Sequence, residues 1–271
     1  MDNNKVLYIS QEITPYLAET PMSLMGRNLP QGMQERGYEA RTFMPKYGCI
    51  NERRNQLHEV IRLSGMNIII DDTDHPLIIK VATLQPARMQ VYFIDNDDYF
   101  RHTPEKGLEI STLPADNDER IMFFVRGVAE TVKKLRWTPA LIHCSGWITS
   151  LAPMYLKCIY NEDPSFRDSK IIFSLYSDRF DGTLDERLVE KLMMDHFEAA
   201  DVATLGTEAV DATTLQKLAI DYADAIVVED ADVDATLLDY AAASGKPVLG
   251  FVADEEPAQR YDRYAAFYKT L

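Results

Sequence analysis

The side chains able to do chemistry gather behind three short apolar runs: Glu12 after the first, His143-Cys144-Ser145-Gly146-Trp147 at the end of the second, and Tyr176-Ser177-Asp178 after the third. A carboxylate at Glu12 can line a cleft and accept ligand hydroxyls, or cap the turn that follows it. His143 stands where a strand would end, so it either meets a ligand or sits as a satisfied histidine packed under Trp147. Trp147 offers an apolar face suited to a pyranose ring, or a core anchor at a helix start. Tyr176 and Ser177 can hydrogen-bond a ligand hydroxyl or simply close the cleft. Asp178, Asp181 and Asp185 form a carboxylate cluster whose ordinary role is a solvated helix cap.

Other chemistries are excluded by what is missing. Residues 11–22 contain no glycine, so the loop has neither a G-x-G-x-x-G fingerprint nor a phosphate-cradling P-loop. Glu19, Thr20 and Pro21 would obstruct close backbone approach to a phosphate, and Pro21 has no N–H to offer. Ser145 is not framed as a nucleophile elbow. Asp230, Asp232 and Asp234 mimic the start of a calcium loop, but Ala235 and Ala241 stand where glycine and glutamate are required. The five histidines (His58, His75, His102, His143, His196) show no H-x-x-x-H pair, and Cys49, Cys144 and Cys158 lack zinc or disulfide spacing. No metal and no cofactor is therefore expected.

Formal net charge is −15, with 16 Asp and Glu against 5 Lys and Arg from residue 195 to the end. Such a surface repels nucleic acid and anionic membranes. No apolar run reaches the roughly 18 residues of a membrane span, and Met1-Asp2-Asn3-Asn4 does not open a signal peptide. A cytoplasmic protein is the expectation.

The elements that must position these residues alternate in type. Residues 5–10 read as a buried strand and 22–36 as a helix, with apolar Met22, Met25, Leu29 and Met33 at helical spacing, Gly37 as its cap and a break or kink at Pro30. Residues 39–44 read as the second strand, and this β-α-β order favours a parallel sheet. Residues 57–94 change rhythm into four short β-rich runs, an antiparallel meander laid against that sheet. The alternation resumes with helices over 117–135, 147–160, 184–199 and about 256–269, and strands over 140–143, 170–175, 201–205, 225–228 and 247–252. One α/β domain over 1–271 is expected, a doubly wound, mostly parallel Rossmann-like sheet with a meander insertion. In such sheets ligands sit outside the carboxyl ends of the strands, which points to the loops 11–22, 95–101, 143–147 and 176–183.

The order of motifs resembles one family, the starch and glycogen synthases of glycosyltransferase family 5. Glu12-Ile-Thr-Pro15-Tyr16 and Leu29-Pro30 match, without a gap, that family's E-x-x-P-F-x-K-T-G-G-L-x-D-V and the L-P that follows. Met44-Pro45-Lys46-Tyr47, Val91-Tyr-Phe-Ile-Asp95-Asn96, Asp116-Asn117-Asp118-Glu119-Arg120, His143-Cys144-Ser145-Gly146-Trp147, Ile171 to Ser177 and Tyr222 to Val228 follow in the family's order. The resemblance implies the N-terminal half of a GT-B fold, a retaining transfer of glucose from ADP-glucose to an α-glucan, and a candidate cleft of Glu12, Tyr16, Asn96, His143, Trp147, Tyr176 and Ser177. The last residues resemble the family's final helix, so a finished small protein without the second GT-B domain is expected.

The departures fall on the donor side. Ala18 stands at the family's phosphate-binding lysine, Thr20 and Pro21 at its two glycines, and Leu24 at its aspartate. Ser145 and Gly146 replace its H-D, and Tyr176 and Ser177 its H-N. Losing a lysine removes the cation that balances a diphosphate. No catalytic residue is assigned. The expectation is a synthase-like protein of α-glucan metabolism with lost or impaired glucosyl transfer, acting as a glucan-binding protein or as an accessory protein paired with a full-length synthase. Two alternatives stay open: an active ADP-glucose-dependent transferase that needs a partner to supply the missing half, and a ligand-free interaction or regulatory module.

Overall fold

The computed structural model describes residues 4–101 and 116–271; His102 lies outside them. Ten strands form one sheet: β1 (Lys5–Ser10), β2 (Glu39–Pro45), β3 (His58–Glu59), β4 (Met66–Ile70), β5 (Thr73–Leu84), β6 (Met89–Asp95), β7 (Leu141–Ser145), β8 (Lys170–Leu175), β9 (Ala225–Val228) and β10 (Val248–Leu249). Their order is β10-β9-β8-β7-β1-β2-β6-β5-β3, with β4 pairing β5. From β10 to β6 every pairing is parallel, and β6–β5, β5–β3 and β5–β4 are antiparallel. The meander is thus no separate layer: β6 belongs both to it and to the parallel sheet.

Among the described residues the α-helices are α1 (Pro21–Gln34), α2 (Asp97–Phe100), α3 (Asn117–Leu135), α4 (Ala152–Cys158), α5 (Leu188–Met194), α6 (Ala212–Tyr222), α7 (Ala235–Ala243) and α8 (Pro257–Tyr268). α1 and α8 pack together on one face, where Met25, Leu29, Met33, Tyr264 and Tyr268 bury against Val6, Tyr8 and Ile172. The apolar sides of α3, α4 and α6 cover the other face. Among the described residues no helix is long and apolar enough to cross a membrane.

Several elements depart from the sequence reading for local reasons. α1 runs unbroken through Pro30. The helix expected over 147–160 divides into a 3-10 turn, Trp147–Thr149, and α4, because Pro153 lacks the N–H to continue one ladder and instead occupies the first turn of α4. The expected helix over 184–199 shortens to Leu188–Met194. The expected strand over 201–205 is a 3-10 turn, Ala203–Leu205, in which Val202 and Leu205 bury together and do not alternate across a sheet. The strand expected over 57–63 keeps only His58–Glu59, and that over 247–252 only Val248–Leu249.

The chain reverses direction through the sheet between β1 and β7, the switch point at which doubly wound sheets open a crevice. Register brings Ser10 opposite Ser145 and Ser145 opposite Ser174, so the loops after β1, β7 and β8 leave the sheet at one level.

Candidate functional site

The loop after β1 is built to hold Glu12. Gln11 extends the ladder by donating its N–H to Ser145 O at 2.9 Å. The Thr14–Pro15 peptide is cis. Thr20 then caps α1: its Oγ1 accepts the Ser23 N–H at 2.9 Å, and Ser23 Oγ accepts the Thr20 N–H at 2.9 Å, a capping box with serine in the usual glutamate's place. Gly26 lies so close to the Glu12 backbone oxygen that a Cβ there would collide with it. Glu12 is 5% exposed, and its Oε2 accepts the Thr20 hydroxyl proton at 2.7 Å. Burial raises its carboxyl to about 7, the nearby Asp178 adds to the rise, and the Thr20 hydrogen bond opposes it.

The loops after β7, β8 and β9 close the other side. Gly146 has φ +90°, and a Cβ there would come within 2.5 Å of Gln11 Cβ. That close approach lets Gln11 Oε1 accept the Ile148 N–H at 3.3 Å while Nε2 donates to Asp178 Oδ2 at 2.7 Å. Burial raises the Asp178 carboxyl, and Asp230 raises it further. Ser177 donates both its N–H and its hydroxyl to Asp230 Oδ2, at 2.9 and 3.0 Å. Burial also holds the Tyr176 phenol well above its ordinary range, reinforced by Glu229, Asp230 and Glu12, so it stays a neutral donor.

Together Glu12, Thr20, Tyr176, Ser177, Asp178 and Asp230 line a cavity of about 250 Å³, with Pro21 and Met22 at its edge. None of these lining residues is Lys, Arg or His. Carboxylate acceptors and neutral hydroxyl donors suit sugar hydroxyls, whereas a diphosphate would find no counter-charge. At the helix end Pro21 has no N–H and the Ser23 N–H is held by Thr20. Among the described residues no group of three His, Cys, Asp or Glu could hold a metal ion.

Of the seven residues expected in the cleft, the fold brings Glu12, Tyr176 and Ser177 together around this cavity. The other four do not line it. Tyr16 buries edge-on against Phe93, ring centroids 4.8 Å apart. Asn96 caps α2, its Oδ1 accepting the Asp98 and Tyr99 N–H groups, while its Nδ2 donates to Pro76 O. Trp147 is buried edge-on against Phe180, not against His143.

His143 is fully buried and belongs to a polar chain beneath the site. Its Nε2 lies 2.6 Å from Ser174 Oγ and its Nδ1 2.6 Å from the Tyr268 hydroxyl. Ser174 has one hydroxyl proton and donates it to Glu229 Oε1 at 2.9 Å. Nε2 therefore carries the imidazole proton, and Nδ1 accepts from Tyr268. Burial drives this imidazole down to about 3, so it is neutral and pins α8 to β7 and β8.

Thr20, Asp178 and Asp230 are the lining residues that sequence reasoning did not select. Their signal was positional: each lies in a loop leaving the carboxyl end of a parallel strand, β1, β8 or β9.

Comparison with known proteins decides the family. The family described as the starch synthase catalytic domain matches residues 5–235 of this chain. The chain belongs to that family. A glycogen synthase from Chlorobium phaeovibrioides is 35% identical over 239 residues, covering 84% of this chain and 48% of its own length. Another from Chlorobium chlorochromatii is 37% identical over 194 residues, covering 71% of this chain and 40% of its own. The chain thus spans about half the length of the glycogen synthases it matches. The catalytic domain of starch synthase IV from Arabidopsis thaliana, solved bound to ADP and acarbose, superposes with a TM-score of 0.72 at 16% identity. That overlap takes in 93% of this chain and 52% of that one, so this chain has the fold of the starch synthase catalytic domain.

Proposed function

We propose that this starch synthase family chain recognises α-glucan at the cavity of Glu12, Tyr176 and Ser177, and that its transfer of glucosyl groups from ADP-glucose is lost or severely impaired, leaving a glucan-binding or accessory role. The observation that carries this reading is the composition of the lining: three acidic side chains, Glu12, Asp178 and Asp230, and no cation. A nucleoside diphosphate sugar brings two negative charges to that wall, and like charges at a few ångströms disfavour one another by several kcal/mol when water is excluded, roughly. Ala18, where the family resemblance implies a phosphate-binding lysine, supplies no compensating charge. Sugar hydroxyls, by contrast, can donate to the carboxylates and to the Ser177 hydroxyl oxygen and accept from Tyr176.

The experiment is calorimetric titration of the whole chain with maltoheptaose, acarbose, ADP and ADP-glucose, paired with a radiolabelled glucosyl-transfer assay on a glucan primer. Saturable heat from the oligosaccharides, none from ADP or ADP-glucose up to millimolar concentration, and no incorporated label are expected. Turnover of ADP-glucose, or binding of ADP tighter than of maltoheptaose, would overturn the reading.

A further inference from the structure

The two edges of the sheet are finished differently. β3 ends one of them with only His58 and Glu59, a short polar strand of the kind that resists further pairing. β10 ends the other, and there the chain carries no such protection. Pro247 to Ala253 is seven residues with no charge among them, and Val248, Phe251 and Val252 are 42%, 37% and 44% exposed. An uncharged apolar edge is an open template for another strand.

Hydrogen bonding shows which groups face outward. Pro247 O accepts the Ile226 N–H at 2.9 Å, so Pro247 and Leu249 address β9. Val248 therefore turns its N–H and C=O to the open side, and extending the strand puts those of Gly250 and Val252 there as well. Arg263 Nη1 donates to Gly250 O at 2.7 Å and leaves that oxygen a second lone pair. Leu249 packs on the α1–α8 side, and the pleat sends Val248 to the other, so an added strand would extend both faces of the sheet.

The order of residues identifies that strand. Counting outward from Gly250, Leu249 matches Phe251, Val248 matches Val252, Pro247 matches Ala253 and Lys246 matches Asp254. In an antiparallel pair related by a two-fold axis at Gly250, each residue meets its own match in the other copy. Every inner row is then apolar and the outermost row joins opposite charges. The parity agrees too, since Val248, Gly250 and Val252 become the hydrogen-bonded rows. An axis at Leu249 would demand groups already given to β9. An axis at Val248 or Val252 would set Lys246 or Asp254 opposite Gly250, a charge inside the apolar rows.

We infer that β10 is a self-docking edge: two copies of this chain pair their β10 strands antiparallel across a two-fold axis at Gly250, joining their sheets into one. The surrounding surface opposes this contact, with 16 Asp and Glu against 5 Lys and Arg from residue 195 onward. Salt screens that repulsion and leaves the apolar rows intact, so association should strengthen with ionic strength.

The test is sedimentation velocity on the whole chain. A reversible dimer is expected, with a dissociation constant of about 1–50 µM that falls as salt rises from about 0.05 to about 0.5 M. Val252→Lys should weaken it by roughly tenfold or more, as lysine on an edge strand does, with an unchanged far-UV circular dichroism spectrum because the residue is exposed. Val248→Lys and Val252→Asp should each dissociate the dimer alone and restore it when mixed in equal amounts, since the two substituted positions face each other. Gly250→Cys, where a Cβ meets no atom within 4 Å, should crosslink to its copy on mild oxidation, while the parent with Cys49, Cys144 and Cys158 should not. A monomer at about 200 µM in about 0.5 M salt, a dimer indifferent to Val252→Lys or loosened by salt, a mixture that fails to reassociate, or a Gly250→Cys chain that does not crosslink would each overturn the pairing. A complex with a full-length synthase that is lost in Val252→Lys, from a chain that alone stays monomeric, would give the edge to that partner and overturn it as well.

Discussion

Thr20 Oγ1 donates its proton to Glu12 Oε2 at 2.7 Å and itself accepts the N–H of Ser23 in the first turn of α1. One threonine therefore couples the helix end to the most perturbed carboxyl of the cleft. A hydroxyl that caps a helix and holds a carboxyl has no proton left to offer an incoming phosphate.

Glu12 makes stability depend on pH. Its folded carboxyl titrates at about 7 against 4.5 for the ordinary group, so between those values the folded chain holds a proton that the unfolded chain has released. Stability from this group is present below about 4.5 and is lost as pH rises through 7. Glu12→Gln keeps an acceptor for Thr20 and removes the titration. Chemical denaturation should show the variant matching the parent near pH 4.5 and exceeding it near pH 8 by on the order of 3 kcal/mol. An offset that does not change with pH would refute the assignment.

His143 works in the opposite sense. Buried and neutral, with a folded value of about 3 against 6.5, it binds no proton where the unfolded chain does. Its contribution is present above 6.5 and is lost as pH falls toward 3. Acid denaturation between those limits should be flattened in His143→Gln, by on the order of 4 kcal/mol at the acid end. Tyr268→Phe leaves Nδ1 without its donor and should cost about 1–3 kcal/mol near neutrality. An acid limb unchanged in His143→Gln would show that other groups dominate it.

Much of the scaffold was legible because its signals are local. The run Lys-Val-Leu-Tyr-Ile-Ser is short, apolar and β-branched, and it forms β1 over those residues. Gly37 ends α1 with φ +87°, as its place after the apolar periodicity suggests. Pro30 misled, because proline in a helix interior removes one hydrogen bond without forbidding the helix when the surrounding residues are buried. At the site, spacing located the loops but not the direction of each side chain. Tyr16, Asn96, His143 and Trp147 occupy those loops or strand ends and turn into the core, a choice made by packing and not by position along the chain. Asp178 and Asp230 meet only after β8 pairs with β9, Leu175 opposite Val228, and no sequence window holds both.

Gly146 should tolerate nothing larger. At φ +90° a Cβ would lie 2.5 Å from Gln11 Cβ, in a buried turn with no room to yield. Gly146→Ala combines backbone strain with overpacking, and about 2–4 kcal/mol of lost stability is expected. Because Gln11 Nε2 holds Asp178, the variant should also weaken oligosaccharide binding at the cleft. A melting temperature within a degree or so of the parent, for which the stability change would be well under 1 kcal/mol, would contradict the packing described.

Separating the two duties of Thr20 needs two substitutions. Thr20→Ser retains the hydroxyl, so both the Ser23 cap and the Glu12 bond survive. Thr20→Val retains the shape and loses both. Near pH 4.5 Glu12 is protonated in the folded chain, so the difference between the variants there is chiefly the lost cap, about 1 kcal/mol. As pH rises through 7 the carboxylate forms and Thr20→Val leaves it without its donor, which adds about 1–2 kcal/mol because a bond to a charged acceptor is being removed. The gap between valine and serine should therefore widen with pH, and in the Glu12→Gln background it should stay flat. A gap that is constant in both backgrounds would mean that the hydroxyl serves the helix alone, and that the link between α1 and the Glu12 carboxyl carries no energy.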